Sequence, residues 1–216
     1  MRPIIYPSAH AVLPPRLCGD VGLYVRAWAA GSYSMDWGRR FDKREKGTHR
    51  FTIADTRGRL DLTVPIAKPA SSRCGWDEVT VSTHGAWWDV HRVALESAYG
   101  RTPYFEFYAD RFLPMLTSGV TDRYPRLADL AGAWDAEIAD ILGLTALRVP
   151  QSPSVPHDTL PPDTPVVIKP YRQVRADRLG FIDGLSVLDL IFNLGPESQL
   201  YLHRLASATY PPHTQI

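Results

Sequence analysis

The period of the hydrophobic pattern changes once along this chain, near Gly85. Before that point, apolar and polar residues alternate in residues 51–54 and 60–66, on either side of a turn that ends in Gly58. Alternation on both sides of such a turn is typical of a β-hairpin. After that point, apolar residues recur every three or four positions, as they do on one face of a helix. Strands followed by helices predict an α+β fold, with a mixed α/β arrangement as the alternative.

The individual elements follow from the same patterns. We predict further strands at residues 23–28 and 76–82, and helices at 86–100, 103–116, 125–142 and 186–194. Residues 149–164 contain five prolines and predict an extended internal loop. The expected architecture is one domain over residues 1–216, in which a strand-rich N-terminal part with a basic loop packs against a helical middle and C-terminal part.

Composition excludes several classes of protein. The chain has 216 residues and a net charge of +1, so no overall field attracts nucleic acid, and no nucleic-acid partner is expected. Cys18 and Cys74 lack the spacing of a zinc site, and no metal site is predicted. No apolar run approaches the roughly 20 residues that span a bilayer, and the first residues lack the apolar core of a signal peptide. We therefore expect a cytoplasmic protein without a membrane span.

The strongest chemical signal is a basic segment directly before the predicted hairpin. It carries several cations and a histidine with only Asp42 and Glu45 to oppose them: Arg39, Arg40, Lys43, Arg44, Lys46, His49 and Arg50. Such a density of cations suits phosphate or carboxylate groups, which arginine can bind with two parallel hydrogen bonds. The alternative is an ordinary surface loop whose charges are solvated.

Two helices carry the other candidate groups. His91 lies on an apolar stripe of the helix at residues 86–99, where a hydrogen-bonded core histidine and an acid–base catalyst are both possible. Asp189 and Asn193 are four residues apart on the helix at 186–194, where they predict either a buried polar network or part of a site.

Four stretches together resemble the WbqC-like protein family. They are the opening strand that runs into Pro14 and Pro15, the segment FDKREKGTHRFTIADTRGRLDLTVPIAKP, the segment WWDVHRVALESAYGRTPYFEFYADRF, and KPYRQV followed by GFIDGLSVLDLIFNLGPES. The resemblance implies a bacterial protein associated with O-antigen and related polysaccharide gene clusters. The positions that match the family's motifs include Lys43, Arg44, Lys46, His49, Arg50, His91, Glu96, Tyr99, Gln173, Asp189 and Asn193.

Two functions are compatible with this resemblance. The first is a transferase of acyl or aminoacyl type, in which His91 is the general base and Glu96 or Asp189 orients it. In that hypothesis a phosphorylated sugar or a nucleotide-linked small molecule is bound by Lys43, Arg44, Lys46, His49 and Arg50 of the basic segment, with Tyr99, Gln173 and Asn193. The second is a non-catalytic accessory protein of glycan assembly, with Tyr104, Phe107 and Tyr108 at its interface. The sequence identifies neither a cofactor nor an oligomeric state. The first hypothesis requires the basic segment, His91 and the Asp189–Asn193 pair to meet in one cleft.

Overall fold

A computed structural model describes residues 5–45, 47–69, 71, 73–150, 160 and 165–211 of the chain. Within these residues the strands are β1 (Tyr6–Leu13), β2 (Ala30–Met35), β3 (Arg50–Asp55) and β4 (Gly58–Thr63). The helices are α1 (Val21–Ala29), α2 (Trp87–Tyr99), α3 (Phe105–Phe112), α4 (Val120–Arg123), α5 (Leu127–Ile141), α6 (Ala176–Leu179), α7 (Val187–Leu194) and α8 (Glu197–Thr209). The α+β fold class is confirmed.

The first unit of the fold is a parallel strand pair joined by a helix. β1 pairs with β2 in a parallel register that runs from His10 opposite Ser32 to Leu13 opposite Met35, and α1 connects them. The prediction of a strand at residues 23–28 was wrong, because these residues lie inside α1. Residues 24–29 are all buried, and a continuous apolar run does not distinguish a buried strand from a buried helix. The helix begins where the side chain of Asp20 accepts a hydrogen bond from the Leu23 N–H.

The predicted hairpin is confirmed. β3 and β4 are antiparallel, with Arg50 opposite Thr63 at the open end and Asp55 opposite Gly58 at the turn. Its buried side chains pack against α2 and α7. The hairpin therefore places Arg50, the last cation of the basic segment, at the edge where the chain enters the sheet.

The predicted helices are present with small changes at their ends. α5 buries Leu127, Leu130, Trp134, Ile138 and Ile141, which is the stripe expected from its sequence. The prediction of a strand at residues 76–82 was wrong: residues 76–78 form a 3₁₀ turn, and Thr80 and Val81 make only isolated bridges. The Glu78 side chain accepts a hydrogen bond from the Gly75 N–H at 2.7 Å, which closes this turn. 

One cluster of buried apolar side chains connects these elements, with Trp76, Trp134 and Tyr24 among its largest members. Most of the predicted loop at 149–164 lies outside the described residues, but Leu160 is buried against this cluster. Among the helices that are described, none is both long and apolar enough to cross a membrane.

Candidate functional site

Two adjoining cavities open beside the start of α1. The large cavity, of about 900 Å³, lies between α1, residues 166–185 and the C-terminal end of α8. The small cavity, of about 240 Å³, lies between the start of β3, the turn before α7 and residues 16–20. Arg16, Asp20 and Gly184 line both cavities, so the two spaces meet at these residues.

Five arginines surround the two cavities. Arg26 and Arg39 line the large cavity, Arg50 and Arg59 line the small one, and Arg16 lines both. The lining also contains three aspartates, and each already accepts a hydrogen bond from a protein group. Asp20 accepts from the Leu23 N–H at 2.9 Å, Asp61 from the Thr52 hydroxyl at 2.6 Å, and Asp183 from the Gly184 N–H at 2.6 Å. Five arginines against three aspartates give this lining a positive balance of charge.

Protein contacts hold these arginines in place. Glu45 pairs with Arg16 at 2.8 Å and lies 3.7 Å from Arg39, so one carboxylate holds two cations at the same end of the large cavity. Arg26 is only 9% exposed, and its Nη1 lies 3.4 Å from the Tyr210 hydroxyl. A guanidinium has five N–H donors, so Arg16 and Arg39 keep donors for a ligand beyond their contacts with Glu45.

An aromatic wall faces part of the large cavity. The rings of Tyr171 and Phe181 both line it and contact each other edge to face, with centroids 5.2 Å apart. The Tyr171 hydroxyl donates a 2.6 Å hydrogen bond to Asp189, which fixes the ring. Flat or ring-shaped ligand groups can pack on such a wall through their apolar faces.

Behind Tyr171 lies a buried polar network, which we call the Asp189 network: Tyr99, Tyr171, Gln173, Asp189 and Asn193. The Asp189 carboxylate accepts hydrogen bonds from the Tyr171 hydroxyl and, at 2.9 Å, from the Gln173 amide. The Asn193 side chain accepts a hydrogen bond from the Val174 N–H at 2.9 Å and donates one to the Asp189 backbone carbonyl at 2.8 Å. The Tyr99 hydroxyl accepts from the Ala54 N–H. Burial raises the pKa of Asp189, and the hydrogen bonds from Tyr171, Gln173 and Tyr99 partly offset this. Of this network, Tyr171 alone lines a cavity.

His91 lies in the core and lines neither cavity. Its Nε2 is 3.2 Å from the Thr63 carbonyl, and its ring packs edge to face against Phe51 and Trp87. Burial lowers the pKa of His91 to about 4. Glu96 is on the exposed side of α2, where Arg92 pairs with it at 3.4 Å. The structure thus does not bring His91 or Glu96 to the arginines, and their catalytic roles stay a prediction.

The basic segment divides between the cavities and the surface. Arg39 and Arg50 line the cavities, whereas Arg44 is exposed and pairs with Asp42 at 3.0 Å. Lys43 is exposed, and Lys46 lies outside the described residues. His49 is buried with its Nδ1 3.1 Å from the Thr48 hydroxyl, and burial, helped by Arg50 and Lys43, lowers its pKa.

Sequence patterns did not identify several lining residues: Arg16, Arg26, Arg59, Tyr171 and Asp183. They come from four separate parts of the chain and follow no shared motif. Tyr171 could have been identified from the sequence, because it lies in the KPYRQV stretch that also contains the candidate residue Gln173. Among the described residues, no group of three or more histidine, cysteine and acidic side chains could hold a metal ion.

The sequence model of the WbqC-like protein family matches residues 40–160, which is more than half of the chain. This chain belongs to the WbqC-like protein family. The matched range of this WbqC-like chain includes Arg50 and Arg59 of the small cavity, and it also includes the hairpin and helices α2–α5. Neither the curated proteins nor the solved structures contain a match to the chain.

Proposed function

We propose that this WbqC-like protein binds a phosphorylated sugar or a nucleotide-linked sugar in its two adjoining cavities. The observation that carries the proposal is the convergence of five arginines on one connected space with an aromatic wall. Arginine recognises phosphate oxygens through charge-assisted hydrogen bonds, and aromatic rings pack against sugar or base faces. A space of about 900 Å³ falls within the range of small-molecule sites.

On this proposal the protein is a cytoplasmic transferase that acts on a precursor of a surface polysaccharide. The acceptor's hydroxyl or amino group attacks the activated donor directly, and the donor's bond to its phosphate-bearing leaving group breaks as the new bond forms, so no protein nucleophile is required. Asp183 lines the large cavity and is exposed there, and its carboxylate takes the proton from the acceptor. Arg16, Arg26 and Arg39 hold the phosphate charge next to it.

A thermal-shift screen tests the proposal. The panel contains nucleotide sugars, sugar phosphates and acyl-coenzyme A donors, each at high concentration. A ligand present at a hundred times its Kd stabilises the fold by about 2.7 kcal/mol, which raises Tm by about 5–10 °C for a chain of this size. We expect nucleotide sugars or sugar phosphates to give this shift, and uncharged sugars to give none.

Two arginines of the basic segment provide a matched pair of variants. Arg39→Gln removes a cation from the large cavity, while Arg44→Gln removes an exposed cation that pairs with Asp42 outside both cavities. The ligand-induced shift should shrink in Arg39→Gln and persist in Arg44→Gln. Equal shifts in both variants, or no shift with any phosphate compound, would count against the proposal.

A non-catalytic accessory role is the second candidate, and the exposed aromatic side chain of Phe107 favours it. Phe107 is 74% exposed, and its ring contacts Tyr104 at 6.2 Å between centroids. Large apolar side chains at this exposure are common at protein interfaces. If this role is correct, Phe107→Ser abolishes surface-polysaccharide assembly in cells without changing the ligand-induced shift, and Arg39→Gln leaves assembly intact.

A further inference from the structure

We infer that the small cavity is a subsite for a terminal phosphoryl group, in which Arg50 and Ser186 donate hydrogen bonds to the phosphate oxygens. The inference rests on the proposed function, because it assigns one part of the proposed ligand to one part of the site. It also narrows the substrate class to compounds with a phosphoryl group at one end and a sugar or base ring at the other.

Two buried donors on residues that line this cavity lack a hydrogen bond of normal geometry within the described chain. The Arg50 Nε and the Ser186 Oγ are both buried, and neither has a hydrogen-bond partner of normal geometry among the described residues. Ser186 is 3% exposed. Buried polar groups in folded proteins are nearly always hydrogen-bonded, so an oxygen-rich ligand would complete this pair. Of the buried side-chain atoms in the described chain without such a partner, only these two belong to residues that line either cavity.

The position of Ser186 is informative, because its hydroxyl lies near the Cys18 thiol and makes no hydrogen bond of normal geometry within the described chain. Ser186 precedes α7 as its N-cap residue, yet its side chain makes no capping hydrogen bond. Its own N–H donates to the Thr52 carbonyl at 2.8 Å, and the Val187 N–H donates to the Gly19 carbonyl at 2.9 Å. The backbone N–H groups at this helix end are therefore occupied by protein contacts, and the hydroxyl is the polar group of Ser186 that remains unsatisfied.

The charge around the cavity selects an anion. Arg16 and Arg59 line it together with Arg50, and no described acidic side chain forms an ion pair with Arg50 or Arg59. Arg59 donates to the carbonyls of Asp183 and Gly184, which orients its guanidinium. The phosphoryl group has three terminal oxygens and two negative charges near neutral pH, so it can accept from several such donors at once.

Cys18 also lines the small cavity and does not oppose an anion there. Burial is the largest cause and raises the pKa of this thiol, while its interactions with the Ser186 hydroxyl and the Leu188 backbone lower the pKa by less. The thiol is therefore uncharged at physiological pH. The acidic residues Asp20 and Asp61 each have one oxygen engaged by Leu23 and Thr52, which reduces their repulsion of a phosphate.

The size of the cavity limits what it can hold. A water molecule occupies roughly 30 Å³ in the liquid, so about 240 Å³ accommodates a phosphoryl group but not a whole nucleotide. The remainder of the ligand must extend past Arg16 and Gly184, the residues shared by both cavities, into the large cavity. There its ring packs against Tyr171 and Phe181.

Calorimetric titration of the full chain tests this assignment with two probes, inorganic phosphate and glucose 1-phosphate, which has a terminal phosphoryl group on a sugar ring. Three variants are compared with the parent chain: Arg50→Gln, Ser186→Ala, and Arg44→Gln as the exposed control. Loss of a charge-assisted hydrogen bond should weaken phosphate binding at least about tenfold in Arg50→Gln. Ser186→Ala should weaken it by about twofold to tenfold, since one neutral hydrogen bond is lost. Arg44→Gln should bind like the parent.

The outcomes separate this inference from the proposed function. Glucose 1-phosphate binding that is unaffected by Arg50→Gln, by Ser186→Ala and by competing phosphate overturns the phosphoryl subsite but leaves the proposed function standing. Phosphate binding that depends on Arg50 and Ser186, without any binding of glucose 1-phosphate or other ring-bearing phosphates, supports the subsite and overturns the proposed function. Absence of binding of every phosphate compound overturns both. Ser186→Ala removes a hydroxyl that caps nothing, so it keeps the test decisive if Arg50→Gln does not fold.

Discussion

Helix α7 borders two polar regions that differ in one respect. Along its length, Asp189 and Asn193 belong to a network in which the side chains find partners in the protein. Immediately before its first residue, Ser186 lies at a cavity with Arg50, where a hydroxyl and a guanidinium N–H find none in the described chain. The difference shows that the same short helix supports both the stability of the fold and a site whose hydrogen-bond donors are unsatisfied.

The energetic consequences of the two regions are opposite. A buried network contributes little net stability when it is complete, but removal of one member leaves the others desolvated and unpaired. Buried donors without partners lower stability until a ligand or solvent satisfies them. Substitutions in the Asp189 network should therefore change unfolding, whereas substitutions in the small cavity should change binding.

The largest expected effect is that of Asp189→Ala. This change leaves the Tyr171 hydroxyl and the Gln173 amide without their shared acceptor in the interior. We expect the free energy of unfolding to fall by about 3 kcal/mol, measured by urea denaturation, while phosphate affinity changes little. Asp110→Ala, on the exposed side of α3, is the control and should stay within about 0.5 kcal/mol. Similar losses in the two variants would show that the network is not a structural unit.

A second, smaller effect concerns His91, which has one nitrogen near the Thr63 carbonyl and another that is buried without a described partner. Burial lowers its pKa to about 4, so the folded state favours the neutral ring. The resulting stability is fully present above the unfolded pKa of about 6.5 and is lost as pH falls towards 4. Between pH 7 and pH 5 this costs the parent chain about 2 kcal/mol.

His91→Gln keeps a donor and cannot ionise, so its stability should lose about 2 kcal/mol less over this pH range. His84→Gln, at an exposed histidine, should retain the pH dependence of the parent. The measurement is urea denaturation at pH 7 and pH 5, together with phosphate titration at pH 7. A loss of ligand binding in His91→Gln, with unchanged acid stability, would place His91 with the cavity instead of with the core.

The hydrophobic pattern within each segment decides which elements of the fold could be predicted from the sequence. The hairpin and helices α2, α5 and α7 were predictable because the hydrophobic residues of each recur with a clear period within one short segment. Helix α1 was not, since its residues 24–29 are buried on every side and thus show no period. Its N-cap, Asp20, was the one local signal that favoured a helix there.

The site was harder to predict than the fold. Arg44 and Arg50 lie in one basic segment, yet the first faces solvent and the second lines the small cavity. The direction of the Arg44 and Arg50 side chains depends on where β3 begins, which is at Arg50, and not on how many charges the basic segment contains. Arg59 and the carbonyl of Asp183 are 124 residues apart in sequence, and such a contact leaves no pattern in a single sequence.

The smallest expected effect concerns Gly184, which lies where the two cavities meet. Its backbone has a φ of +65°, and a Cβ there would lie 3.4 Å from both terminal nitrogens of Arg59. Gly180 has a φ of +70° with nothing within 4 Å of the same position, so it is a matched control for backbone strain. Both Gly184→Ala and Gly180→Ala should lower the free energy of unfolding by about 1 kcal/mol, since a side chain is disfavoured in this conformation.

Only Gly184→Ala should also change binding, because its methyl group intrudes on the junction through which a two-part ligand must pass. Glucose 1-phosphate should bind more weakly to this variant, with a smaller change for inorganic phosphate, which occupies the small cavity alone. Calorimetric titration of both variants with both probes gives the comparison. If Gly180→Ala weakens glucose 1-phosphate binding as much as Gly184→Ala does, the loss comes from backbone strain, and the two cavities do not share one ligand.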